Sequence, residues 1–289
     1  MRKTKTAYWL SVTIAILFLL VFAQVVTLAQ EKTKFYLVGV GPGDPDLITL
    51  RAVNIIKEAD LIFCHKRIKD KFAAYLKGKK IFNKYWRLFP YYGEDCSKLE
   101  GKQRRECEKY HRKQNEFVEK VRKAIAQGKT VAMLDNGDAL MYGPCSWCLE
   151  ELEDLNPVVV PGLSSFNAAN AALRKDVPEG EHTKSIIITA DDWPGKTDTI
   201  VNLSRHQATM VIFTMKAEFE DLLKKLSINY PPETPVAIVE YAGYAEKERV
   251  IRATLGTILD KVKNEKLPFE YLLYVGDFLT YTKKKVEKE

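Results

Sequence analysis

From residue 35 onward the chain alternates short apolar runs with amphipathic stretches. Leu37, Val38 and Val40 form a run that reads as a buried strand of a parallel sheet. A Gly-Pro-Gly-Asp turn follows, and Leu47, Ile48, Val53, Ile55, Ile56 and Ala59 then recur at helical spacing. Asp44 as N-cap and Pro45 as first helical residue predict that this helix starts there. Residues 61–64 read as a second strand and residues 72–76 as helix. Residues 117–126 read as a helix with Val118, Val121, Ala124 and Ile125 on one face, closed by Gly128. Residues 130–134 and 157–160 read as further strands, with a helix carrying Leu149 and Leu152 between them. Ser164 and Ser165 open a small-residue helix, SSFNAANAAL. Residues 176–183, with Pro178 and Gly180, read as a linker. Beyond it come strands at 185–190, 208–214, 235–240, 249–254 and 271–275, and helices at 197–203, 217–226 and 257–262. The alternation is less regular here, and the later strands are placed to pair antiparallel across the turn at 243–247.

Two strands thus end in polar, glycine-bearing turns, residues 39–44 and residues 135–144. In an open sheet both would face one crevice at the carboxyl ends of the strands. A dinucleotide fingerprint is excluded, because the third glycine it needs is replaced by Asp44. An acidic side chain and a proline there are poor company for a pyrophosphate, which seeks free N–H groups and positive potential. The turn therefore suits a ligand without phosphate, or serves the backbone alone. Ser164 and Ser165 read likewise, either as caps or as ligand contacts.

Residues 82–115 break the rhythm: Tyr85, Trp86, Phe89, Tyr91 and Tyr92 are interleaved with Lys and Arg. Such a segment suits a lid that clamps a flat acidic substrate, an RNA-binding surface, or an insertion whose aromatics pack on their own domain. Residues 6–30 carry no charge and follow Arg2, Lys3 and Lys5, the pattern of a signal peptide or a membrane anchor with the body outside the cytoplasm. Five cysteines leave no complete disulfide framework. Cys64 reads as a core residue. Cys96 and Cys107 are able to pair if the body is exported, and Cys145 and Cys148 form a C-x-x-C that suits packing, redox chemistry or, with the other two, a metal. The net charge of +7 permits an acidic substrate, an anionic membrane or RNA and requires none of them.

Four segments, VGVGPGDPDLITLRA, LDNGDALMYG, VVVPGLSSFNAANAAL and PVAIVEYAGYAEKERVIRATLG, resemble in order and spacing the tetrapyrrole (corrin and porphyrin) methylases, the class III S-adenosylmethionine-dependent methyltransferases. The resemblance runs from about residue 34 to residue 278. It implies an α/β fold of two α/β domains with the cofactor, S-adenosyl-L-methionine, in the cleft between them, and a homodimer. The expected division is residues 1–33 as leader or anchor, 34–176 and 184–281 as the two domains, and 282–289 as a charged tail. By position the cofactor would be met by Pro42 in the first loop, by Asn136, Gly137, Asp138 and Met141 in the second, by Ser164 and Ser165, by Thr214 and by Ala242. No metal is implied. The reaction implied is methyl transfer to a carbon of a reduced tetrapyrrole; relatives that methylate RNA or protein, and a non-catalytic exported tetrapyrrole-binding protein, are the alternatives. Some relatives place an aspartate base after the second strand, where this chain has His65, the candidate catalytic residue. Ala139 stands where the family has proline after Gly-Asp. The family's cofactor belongs to the cytosol, so an exported body would conflict with its supply.

Overall fold

The computed structural model describes residues 34–215 and 217–283. Residues 1–33, on which the signal-peptide and anchor expectation rests, lie outside the described residues. Among the described residues no helix is long and apolar enough to cross a membrane. The chain divides into two compact units, one containing residues 34–39 and 49–161 and the other containing residues 40–48 and 162–283.

The first unit holds β1 (Phe35–Gly39), α1 (Leu50–Glu58), β2 (Leu61–Phe63), α2 (Lys66–Lys71), β3 (Lys80–Phe82), α3 (Gly101–Ala126), β4 (Val131–Asp135), α4 (Trp147–Glu151) and β5 (Val158–Val160). Its five strands run parallel in the order β3-β2-β4-β1-β5. Parallel strands joined by crossovers are covered on both faces, and β2 and β4 are buried at every residue. The register pairs Gly39 with Asp135, so β1 and β4 end side by side. Phe35, Phe63 and Phe117 meet edge to face beneath the sheet, at centroid distances of 6.1 and 4.9 Å.

Three local expectations are corrected. The first helix does not start at Asp44: Pro45–Leu47 forms a single 3-10 turn, and α1 starts after Thr49, whose hydroxyl accepts the Ala52 N–H at 3.2 Å. Asp44 caps nothing because its carboxylate accepts the Ala245 N–H instead. The helix expected at 72–76 lies one step earlier, at Lys66–Lys71, and Phe72 closes it. The helix at 117–126 extends back to Gly101, making α3 26 residues long. Its buried stripe is Cys107, Gln114, Phe117, Val121 and Ala124. The first half of that stripe is not aliphatic, so apolar periodicity did not reveal it.

The second unit opens with residues 40–48 and continues with α5 (Ser165–Leu173), β6 (Ile186–Ala190), α6 (Ile200–Ser204), β7 (Thr209–Phe213), α7 (Phe219–Leu226), β8 (Pro235–Glu240), β9 (Arg249–Thr254), α8 (Ile258–Val262) and β10 (Tyr271–Val275). The strand order is β6-β7-β10-β8-β9, parallel only between β6 and β7. β8 and β9 form the expected antiparallel pair. The alanine face of α5 lies against this sheet through Ala169 and Leu173, beside Val239 and Tyr274. Tyr274, fully buried, donates its hydroxyl to Asn170 Oδ1 at 2.7 Å, which satisfies the one polar atom that burial would otherwise penalise.

The insertion folds onto the first unit. Tyr85 and Leu88 are buried in its core, and Trp86, Tyr92 and Tyr110 pack on that core. Gln114 donates to the Leu88 carbonyl at 2.7 Å. For Tyr85, Trp86 and Tyr92 the fold bears out packing on their own domain, while Phe89 stays exposed beneath the Arg87 guanidinium.

Candidate functional site

In the first unit the chemistry gathers where β2 and β4 end. β4 delivers Asp135 fully buried, then turns through Asn136 and Gly137, the latter at φ +69°. That conformation is ready for glycine and strained for other residues. Asp138 Oδ1 accepts the Leu140 N–H at 2.9 Å and its carbonyl accepts the Met141 N–H at 3.2 Å, so the loop is held by its own acidic residue. Asn136 is exposed, with Oδ1 accepting from Lys71 at 3.3 Å. Leu140, Met141 and Tyr142 stand exposed on the same loop as an apolar strip.

Below the loop, Asp135 Oδ1 accepts the Asn136 N–H at 2.9 Å and the Trp86 indole N–H at 3.3 Å, while Oδ2 is buried with no hydrogen-bond partner. Loss of solvent raises its carboxyl to about 6, against smaller opposing effects from Asn136, Trp86 and Cys145. The other face of this cluster is His65, whose ring lies 4.4 Å from that of Trp86. His65 is the N-cap of α2: its Nδ1 accepts the Arg67 N–H at 3.2 Å. Burial, then the nearby Arg67, hold its pKa below the ordinary histidine value. A neutral imidazole accepting at Nδ1 carries its proton on Nε2, so the free nitrogen of His65 is a donor.

In the second unit the loop of residues 40–48 is fastened to the turn after β8. The Asp44 N–H donates to the Gly243 carbonyl at 2.9 Å, and Asp44 Oδ2 accepts the Ala245 N–H at 2.8 Å. Gly43, at φ +65°, leaves no room for a Cβ, which would stand 2.1 Å from the Gly243 oxygen. Pro42 and Ala242, one on each segment, are buried. Ser164 caps α5 through a reciprocal pair, its Oγ accepting from Phe166 at 3.2 Å and Asn167 Oδ1 accepting the Ser164 N–H at 3.0 Å. Thr214, fully buried, donates to the Tyr271 carbonyl at 3.0 Å. The structure thus brings Asn136, Gly137, Asp138 and Met141 together in one unit, and Pro42, Ser164, Ser165, Thr214 and Ala242 fall in the other.

Sequence reasoning missed the roles of Asp135 and Trp86. A carboxylate at the end of an otherwise apolar strand was the available signal; its indole partner lies 49 positions away and was not readable. The cysteines resolve into three settings. Cys64 is buried, and burial pushes its thiol up to about 11. Cys145 and Cys148 are free and buried, raised chiefly by burial and then by Asp135. Cys96 and Cys107 form a disulfide.

The sequence matches the tetrapyrrole (corrin/porphyrin) methylases over residues 34–259. It is 32% identical over 258 residues to a cobalt-precorrin-4 C(11)-methyltransferase of Methanocaldococcus jannaschii, covering 86% of this chain and 90% of that one. The fold resembles that of a cobalt precorrin-4 methyltransferase of cobalamin biosynthesis, with a TM-score of 0.69, 21% identity, and 87% and 98% of the two chains covered. It also resembles a uroporphyrin-III C-methyltransferase of Thermus thermophilus solved with S-adenosylhomocysteine, with a TM-score of 0.61, 23% identity, and 85% and 98% covered. The extent of these matches, with four motifs in order on two α/β units, decides the family: this chain belongs to the tetrapyrrole (corrin/porphyrin) methylases.

Proposed function

We propose that this protein is an S-adenosylmethionine-dependent methyltransferase that methylates a ring carbon of a corrin or porphyrin precursor. The observation that carries the reading is the 32% identity, over 86% of the chain, to a methyltransferase of a cobalt-precorrin. The residues of the loop after β4 fit the methyl donor. A sulfonium nucleoside has no phosphate to be repelled by Asp138, its adenine wants apolar walls such as Leu140, Met141 and Tyr142, and its polar groups want backbone donors and acceptors. We assign its binding to Asn136, Gly137, Asp138 and Met141 of the loop after β4 and, by the family's positions, to Pro42, Ser164, Ser165, Thr214 and Ala242. Because Ser164 Oγ and Thr214 Oγ1 are engaged within the protein, their segments would meet the ligand chiefly through backbone groups and remaining lone pairs.

The donor, when bound, supplies an activated methyl group to a nucleophilic carbon, and the protein supplies proximity and alignment. The rigid fastening of residues 40–48 through Asp44 serves that alignment. His65 enters as a positioning group: its Nε2–H is suited to donate to a peripheral carboxylate of the acceptor, whereas service as a base would cost its cap on α2. A homodimer, and a membrane tether formed by residues 6–30, complete the proposal. Light scattering tests the first and protease access in spheroplasts the second.

The central test is calorimetric titration of the full chain with S-adenosylhomocysteine, followed by turnover of reduced tetrapyrroles with labelled methyl donor. Saturable heat that Gly137→Val abolishes, and label on a ring carbon, are expected. Absence of binding by both the methyl donor and its demethylated product would overturn the assignment.

A further inference from the structure

The disulfide of the insertion does not stand alone. Cys107 and His111 are four residues apart on α3, so they share a face. Cys96, on the short 3-10 turn Cys96–Lys98, faces them. One ligand atom from each of the three lies within 4.8 Å of the others. His111 Nδ1 is 3.5 Å from Cys96 Sγ, and His111 Nε2 is 3.8 Å from Cys107 Sγ. His111 Nε2 also lies 2.8 Å from the Tyr91 carbonyl oxygen. A carbonyl only accepts, so Nε2 carries the proton and Nδ1 presents its lone pair toward Cys96 Sγ, while Cys107 Sγ lies nearer Nε2. A ring nitrogen tied to a backbone carbonyl while the other faces soft donors is the arrangement that orients metal-ligating histidines.

We propose that, once the Cys96–Cys107 bond is reduced, Cys96, Cys107 and His111 bind a thiophilic divalent cation, Zn2+ being the best match. The donor set is Cys2His, with a fourth position left to solvent. In a tetrahedral zinc site the sulfurs stand about 3.8 Å apart and sulfur and nitrogen about 3.5 Å apart. The Cys96–His111 separation already meets the second value; on reduction the two sulfurs must part and Cys107 Sγ must come to the same distance from Nδ1. The chemistry balances: a dithiol reductant gives two electrons and two protons to the bond, becoming a disulfide itself, and yields two protein thiols. Zn2+ then displaces the two thiol protons. The insertion is therefore locked by a covalent bond when oxidised and by a metal when reduced. The site is separate from the residues assigned to the methyl donor.

Cobalt titration of the full chain tests this. The reduced protein should take up one equivalent of Co2+ with a thiolate-to-cobalt charge-transfer band and visible bands of tetrahedral intensity, reversed by Zn2+. The oxidised protein should show none. His111→Ala, which leaves the disulfide possible, should weaken binding at least tenfold, and Cys96→Ser with Cys107→Ser should remove it. Cys145→Ser with Cys148→Ser should leave it unchanged. Absence of the charge-transfer band in the reduced protein, collapse of the reduced protein without cobalt uptake, or a band that survives Cys96→Ser with Cys107→Ser would each overturn the proposal.

Discussion

Asp135 gives the sharpest test of the electrostatics at the end of β4. Its carboxyl is fully buried and one oxygen has no hydrogen-bond partner. Burial raises its pKa from 3.8 to about 6. Between those values the folded state keeps a proton that the unfolded chain has released. Stability therefore falls as pH rises, being greatest below the unfolded pKa and fully reduced once pH passes the folded one. A rise of about two pKa units corresponds to about 3 kcal/mol. Asp135→Asn keeps the shape, still accepts from Asn136 and Trp86 through Oδ1, and cannot ionise. The unfolding free energy of the variant minus that of the native protein should thus grow by about 3 kcal/mol between roughly pH 4 and pH 7. Other carboxyls cancel in the difference. Urea titrations followed by indole fluorescence report on the right unit, since Trp86 and Trp147 both pack in the first core. Two units need not unfold together, so the transition to fit is the one in which the core-packed indoles Trp86 and Trp147, rather than the exposed Trp193, change their emission. A difference that stays level across this pH range, or one that shrinks as pH rises, would refute the argument.

Gly43→Ala should lower the melting temperature of the second unit and weaken S-adenosylhomocysteine binding. The left-handed backbone alone costs about 1 kcal/mol, and the added carbon 2.1 Å from the Gly243 oxygen forces the loop to move; unchanged melting and binding would contradict the fastening described. Thr214→Val should destabilise that unit by about 1–3 kcal/mol by leaving the buried Tyr271 carbonyl short of a donor, measurable by denaturant titration. His65→Ala should raise KM about tenfold with little change in kcat, as loss of a donor to a charged group would. A kcat loss of about a hundredfold would instead restore the base role. Reduction of Cys96–Cys107, which closes a loop of sequence separation 11, should cost the first unit about 3 kcal/mol in metal-free buffer, read as a shift of its melting curve.

The sequence by itself determined the α/β class, the strands and the family. Buried parallel strands must be continuously apolar, and glycine turns between strand and helix leave a local signature that needs no knowledge of distant residues. The antiparallel pair of β8 and β9 was legible for the same reason, through two runs flanking a short turn. Tertiary structure alone decided what the polar residues do. Asp44 looked like a cap and is a tie to Ala245, 201 positions away. His65, a candidate catalytic residue or a plain polar strand end in the sequence, acquires in the fold a cap contact to Arg67 that no local pattern showed. The polar half of α3 looked like loose insertion and is helix, because its buried stripe runs through Cys107 and Gln114 rather than aliphatic side chains. Apolar residues announce themselves because burial is non-directional and acts on each one alone, whereas a polar group takes its meaning from one partner at hydrogen-bond distance, which only the folded chain supplies.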